Sequence, residues 1–141
     1  MNKVVWFEIP FDESERAQKF YKDVFGWQIN HFPDMGYYAA IPTDTDTQTM
    51  EPKETGAING GLLKRDDTGK HPVILIEVPS IDEHLKKIEQ NGGKTVMPKV
   101  TVDNFGLYAR VSDTEGNVLI SGRRSNSRNS NNTKLIFFLY F

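Results

Sequence analysis

Two glutamates recur at matching places in this chain. Glu8 lies in the run Val4-Val5-Trp6-Phe7-Glu8-Ile9-Pro10, and Glu77 takes the same place in Val73-Ile74-Leu75-Ile76-Glu77-Val78-Pro79. Each run reads as a strand, with Val4, Trp6 and Glu8 on one face and Val73, Leu75 and Glu77 on the matching face of the second copy. Two carboxylates facing one hollow could hold a metal ion, although a pair of monodentate carboxylates without imidazole makes a weak transition-metal site. They could equally pair with a cation, and Arg110 is the candidate. The alternation that sends Ala109 and Val111 to a core turns Tyr108 and Arg110 the other way, with Trp6 and Tyr38 as companions. Aromatics with one cation suit a flat or anionic ligand; the same side chains would also simply fill a cleft or a dimer seam.

Other chemistries find little support. The chain has no cysteine, which removes disulfides, thiolate nucleophiles and thiolate-bound zinc. Its three histidines, His31, His71 and His84, are scattered and read as surface residues. No Ser, His and acid grouping with a nucleophile's context is visible, and no glycine-rich segment precedes a helix as a phosphate loop requires.

The elements that must position these residues come twice. Asp12 with Glu15, and Ser80 with Glu83, have capping-box spacing. The first helix carries Ala17, Phe20, Tyr21, Val24 and Phe25 as an apolar stripe and stops at Gly26; the second carries Ile81, Leu85 and Ile88 and stops at Asn91-Gly92-Gly93. Short β-type segments follow each: 27–31, 36–41 and 56–63, then 95–102, 107–112 and 118–120. The glycines between Gly56 and Gly61 read as sites of close strand packing, and the polar stretch 42–55 as a mobile loop. The order is βαβββ twice. A four-stranded module covered by one helix leaves a bare sheet face, so the two bare faces should share a cleft, the default ligand site.

With 141 residues and 38% hydrophobic content, the chain suffices for one well-buried domain or two half-sized modules. The formal charge of −2 conceals a basic end, because residues 121–141 hold Arg123, Arg124, Arg128 and Lys134 and no acid. The more acidic body would repel phosphate, so no nucleic-acid partner is expected. No secretory signal is visible and the longest apolar run, Leu135 to Phe141, is far below the roughly 20 residues of a membrane span. A cytoplasmic location without membrane association is the expectation.

Several of these segments, taken in order, resemble the vicinal oxygen chelate (glyoxalase/bleomycin-resistance) superfamily. They are Trp6-Phe7-Glu8-Ile9-Pro10, Glu15-Arg16-Ala17, Phe20-Tyr21 and Val24-Phe25-Gly26-Trp27, then Gly56, Gly60 and Gly61 around Ile58. The second half adds Ile76-Glu77-Val78, Gly92-Gly93 and the turn Asp113-Thr114-Glu115-Gly116-Asn117. The resemblance implies an α+β fold in which two βαβββ modules with curved mixed sheets form a shared cleft, commonly near a dimer interface. It leaves the reaction open, since that superfamily includes isomerases, lyases, dioxygenases, epimerases and metal-free binders. Carried over residue by residue, its early metal-ligand positions fall on Val4 and Val73, and its late ones within 58–61 and on Ile120. None supplies an imidazole or carboxylate, so neither metal nor other cofactor is expected.

The expected organisation is a first module over 1–63, a second over 64–120, and an atypical tail, 121–141, disordered or aberrant. The expected function is metal-free binding of a small aromatic or anionic molecule in a cleft lined by Trp6, Glu8, Tyr38, Leu75, Glu77, Tyr108 and Arg110, with no catalytic residue assigned and a homodimer as the assembly. The alternatives are a glyoxalase-like lyase or dioxygenase using a divalent metal on non-standard ligands such as Glu8 and Glu77, and an interaction module without a ligand.

Overall fold

The computed structural model describes residues 1–33, 36–47, 51–102 and 106–124. Its elements are β1 (Val4–Phe11), α1 (Ser14–Phe25), β2 (Gln28–Phe32), β3 (Tyr37–Ile41) and β4 (Asn59–Lys64), then β5 (Val73–Glu77), α2 (Ile81–Gln90), β6 (Lys94–Val102), β7 (Gly106–Ser112) and β8 (Val118–Arg124). The βαβββ order is present twice. The eight strands form one sheet in the order β2-β3-β4-β1-β5-β8-β7-β6, so the modules join edge to edge within one chain through antiparallel β1 and β5. β1 runs parallel to β4, and β5 parallel to β8.

One sheet face is covered by the helices. In the first module Phe7, Ile9, Phe11, Ala40 and Leu62 pack with Ala17, Tyr21 and Trp27. In the second, Val78, Ile81 and Ala109 pack with Leu85 and Leu107. The other face carries the cluster of Trp6, Tyr37, Ala39, Val73, Leu75 and Ile120. This is the concave face.

Local signals explain most boundaries. Gly26 ends α1 with φ of 71°, the left-handed conformation that glycine adopts without penalty. Ser80 caps α2, accepting the Glu83 N–H at 3.3 Å. The expected cap at Asp12 is absent. Glu13 holds that position without a side-chain bond, and Asp12 pairs instead with Arg65 at 2.9 Å. The apolar stripe of α1 is also wider than its contact: Ala17 and Tyr21 face inward, while Phe20, Val24 and Phe25 are more than half exposed, with the Phe25 ring edge-on to Phe20 and tilted against Trp27.

One further expectation needs correction, and the polar stretch 42–55 has contacts of its own. On either side of residues 48–50, which lie outside the described residues, Asp46 N–H donates to Glu51 O and Lys53 N–H to Asp44 O, with an ion pair between Lys53 and Asp44 at 3.2 Å. The Thr45 hydroxyl also accepts from Asn59 Nδ2 at 3.0 Å. The last strand runs four residues beyond Ile120, because Ser121 to Arg124 continue the pairing with β7 through Gly106. The expected tail thus loses 121–124 to the sheet, and 125–141 lie outside the described residues.

Gly60 and Gly61 on β4 hold the two faces together. A Cβ at Gly60 would lie 2.4 Å from the Phe7 ring, and one at Gly61 would lie 1.8 Å from the Tyr37 hydroxyl. Each glycine lets a neighbour's ring lie flat across the strand. We predict that Gly61→Ala destabilises the fold by about 3 kcal/mol, the upper part of the range for overpacking with lost hydrogen bonds, measured by urea denaturation. Unchanged stability would mean that Tyr37 does not cross β4.

Candidate functional site

The antiparallel register of β1 and β5 decides where the repeated glutamates go. Trp6 lies opposite Leu75, so the two repeats turn about that pair, and Glu8 falls opposite Val73. Glu77 sits four residues further along β5, about 13 Å away at strand rise. The repeat pattern placed both carboxylates on one face; the register sends them to opposite ends.

At the Glu8 end the concave face is polar and closed. Arg110 Nη2 donates to Glu8 Oε1 at 2.8 Å, with side-chain exposures of only 7% and 11%. Tyr37 also hydrogen-bonds Glu8 and accepts from Trp6 Nε1 at 2.9 Å. The result is a connected run from indole to phenol to carboxylate to guanidinium. Burial pushes the Glu8 carboxyl above its ordinary value of 4.5, outweighing the pull of Arg110 and the Tyr37 bond. Burial, followed by the nearby Glu8 charge, holds the Tyr37 phenol well above its usual range, so it remains a donor.

Arg110 keeps something in reserve. Its Nη1 is buried and has no hydrogen-bond partner among the described residues. An unpaired buried donor costs about 1–3 kcal/mol, and the great majority of buried polar atoms bond to protein or to ordered water. Beside it runs the turn Asp66–Gly69, held by Asp66 Oδ1 accepting from Thr68 N–H and Oγ1, both at 2.8 Å. A Cβ on Gly69 would lie 3.8 Å from Nη1. Asp67, Thr68, Lys70 and His71 line a hollow of about 350 Å³, with Val73 and Val118 among its apolar walls. At the opposite end a wider recess of about 650 Å³ includes Lys3, Glu77 and Arg123.

The expected site residues therefore divide. Trp6, Glu8, Leu75 and Arg110 meet on the concave face, and Tyr108 packs against the same cluster. Glu77 belongs to the other end. Tyr38 is displaced by one position: it points to the helix side, edge-on to Phe11 and stacked on His31 at 4.3 Å. Its expected place is held by Tyr37, because β3 begins at Tyr37 and sends 37, 39 and 41 inward. Adjacent tyrosines, each followed two residues later by an alanine, look alike in either parity, so only the neighbouring Gly61 signalled which ring crosses the sheet.

The positions at which the superfamily holds metal do not fit an ion here. Val73 and Ile120 are buried hydrocarbon, and Val4 is exposed beside a register shift in β1. Within 58–61 the one polar side chain is Asn59, whose amide is engaged with Thr45 and whose lone oxygen is a poor anchor. Glu8 is committed to Arg110 and Tyr37, and no three His, Asp or Glu side chains among the described residues come together as a metal site.

The raised Glu8 pKa sets a sign. A carboxyl favoured in its neutral form by folding contributes stability that is fully present below its unfolded pKa and fades as pH climbs through the folded one. We predict that the stability gap between wild type and Glu8→Gln is largest below pH 4.5 and narrows as pH rises above it, followed by denaturant unfolding at several pH values. A gap that widens with pH would mean that Arg110 outweighs burial.

Comparison with known proteins agrees with this architecture. Residues 3–43 match the family described as bleomycin resistance protein-like N-terminal. A glyoxylase-like domain-containing protein of Didymella fabae is 30% identical over 112 residues, covering 78% of this chain and 84% of the relative. Among solved structures, a glyoxalase/bleomycin resistance protein/dioxygenase superfamily member from Vibrio splendidus 12B01 superposes with a TM-score of 0.58 at 12% identity, covering 87% of this chain and 99% of that one. Streptomyces coelicolor methylmalonyl-CoA epimerase, in complex with 2-nitronate-propionyl-CoA, gives a TM-score of 0.59 at 12% identity over 92% and 99% of the two chains. At such identities the structural likeness speaks for fold alone. Sequence relative, family match and fold converge, and the chain belongs to the glyoxalase/bleomycin-resistance/dioxygenase, or vicinal oxygen chelate, superfamily.

Proposed function

We propose that this protein binds a small, flat molecule on the concave face without a metal, holding it as a sequestering protein and not turning it over. The observation that carries the reading is the buried Arg110 guanidinium, with one arm on Glu8 and the other without a partner among the described residues, beside the aromatic rings of Trp6 and Tyr108. A donor of this kind orients a ligand oxygen, and the surrounding rings supply apolar contact. Hydrocarbon at the ligand positions supports a metal-free mode. The separation of Glu8 from Glu77 weighs against a metal-dependent lyase or dioxygenase built on those two residues.

The location we propose is the cytoplasm, and no described helix is long and apolar enough to cross a membrane. A homodimer is also proposed, supported by the exposed cluster of Phe20, Val24 and Phe25 on α1, an apolar patch of the kind that marks contact surfaces. Light scattering should then return twice the 16.1 kDa chain mass, and Phe25→Glu should return the single mass; a monomeric wild type removes the dimer.

The functional test is a thermal-shift screen of a small-molecule library with and without EDTA. We expect hits of several degrees that persist in EDTA and vanish in the Glu8→Gln/Arg110→Met double variant, which leaves no charge buried alone. Hits that require a divalent ion, or that survive the double variant, would contradict the reading.

A further inference from the structure

An apolar strip crosses the helix side of the sheet. Ile74 on the inner strand β5 has the same parity as Ile76, which packs with the α2 cluster, yet Ile74 is 43% exposed. It lies opposite Phe7 on β1. The Phe7 ring meets Trp27 at 5.5 Å, Trp27 meets Phe25 at 5.9 Å, and Phe25 meets Phe20 at 6.0 Å. Phe20, Val24 and Phe25 are 52–59% exposed, so the strip widens on the outer face of α1.

That patch alone is too small for the dimer proposed above. Half exposed, each phenylalanine offers about 100 Å², and with Val24 the patch offers about 300 Å² per copy. Two such patches bury about 600 Å², half of the roughly 1,200 Å² at which stable interfaces begin. The dimer needs a second apolar surface, and the sequence holds one. Residues 135–141 read Leu-Ile-Phe-Phe-Leu-Tyr-Phe, an uncharged stretch of high β-propensity that aggregates unless it is covered. It lies outside the described residues, as does the polar stretch 125–134 that joins it to β8. Laid on a face, such a segment buries about half of the 150–250 Å² of each aromatic ring. Two arms added to two patches then reach the size of a stable interface.

The topology brings the arm to the right end of the sheet. β8 runs parallel to β5, and β5 antiparallel to β1, so β8 ends at Arg124 where β1 begins. β2 runs parallel to β1 through β3 and β4, so α1 stops at Gly26 at that same end. Residues 125–134 span up to about 35 Å when extended. Around a two-fold axis near this end, each arm reaches the other copy's patch and the contact is made twice.

Resting on the dimer reading above, we infer that the partner of the α1 patch is the apolar segment 135–141 of a second copy of this chain, each copy giving its arm to the other. An arm laid on its own α1 would hide the patch and leave the dimer without it.

Light scattering on full-length variants tests the exchange. Phe137→Glu/Phe138→Glu puts a charge on both sides of an extended segment, and this variant should return the single 16.1 kDa mass, as Phe25→Glu should. An equimolar mixture of the two should recover particles of twice that mass, because one chain keeps an intact patch and the other an intact arm. An arm variant that stays dimeric, or a mixture that stays monomeric, overturns the inference; the dimer reading still stands if Phe25→Glu alone separates a dimeric wild type. A monomeric wild type removes the dimer reading and the inference with it, and association of the arm variant in that case would assign the arm to its own chain.

Discussion

The ion pair between Glu8 and Arg110 is the constraint around which the molecule closes. Glu8 belongs to β1 and Arg110 to β7, three strand spacings apart in the sheet, or about 14 Å if the sheet were flat. To close a 2.8 Å bridge the two side chains reach toward each other over β5 and β8, the strands that lie between them. The pair also joins the two modules, since its partners are 102 residues apart in sequence. Such a pair is poorly suited to stability alone: buried ions cost several kcal/mol each to desolvate, and apolar substitutes of similar volume often do as well. Its place on the concave face, beside a donor without a partner among the described residues, supports the proposed binding of a ligand oxygen.

Around that pair the remaining architecture divides the labour. β1 and β5 are copies that meet antiparallel about Trp6 and Leu75, so whatever one repeat places at its end appears at the opposite end in the other. The ends have diverged. At one, Gly61 leaves room for Tyr37 to cross β4 and join Trp6 to Glu8; at the other, Glu77 shares an open recess with Lys3 and Arg123. The middle is filled by Val73, Leu75 and Ile120, hydrocarbon that offers no ligand to a metal ion.

Much of this was legible in the sequence. The repeat of strand, helix and three strands, the Gly26 and Ser80 helix signals, and the inward turn of Trp6, Glu8 and Arg110 all follow from local periodicity and capping chemistry, which act over a few residues. What escaped depended on contacts between distant segments. Asp12 looked like a cap until Arg65, 53 residues on, claimed it. Tyr37 and Tyr38 could not be ranked without the β3–β4 register, and Glu77 could not be separated from Glu8 without the β1–β5 register. Register is set by pairing across the sheet, and a one-residue slip exchanges faces. The stretch 42–55 has no apolar periodicity, so the contacts of Thr45 with Asn59 and of Lys53 with Asp44 left no signal of the kind periodicity detects.

The central claim is that Glu8 and Arg110 meet across the curled sheet and act as one unit. A double-mutant cycle on stability, using Glu8→Gln, Arg110→Met and their combination at neutral pH, measures this most directly. The account predicts a coupling of about 2 kcal/mol or more, because either single change strands a buried partner and the combination strands neither. Strictly additive effects, with a coupling below about 0.5 kcal/mol, would show that the two side chains do not meet and would contradict the account.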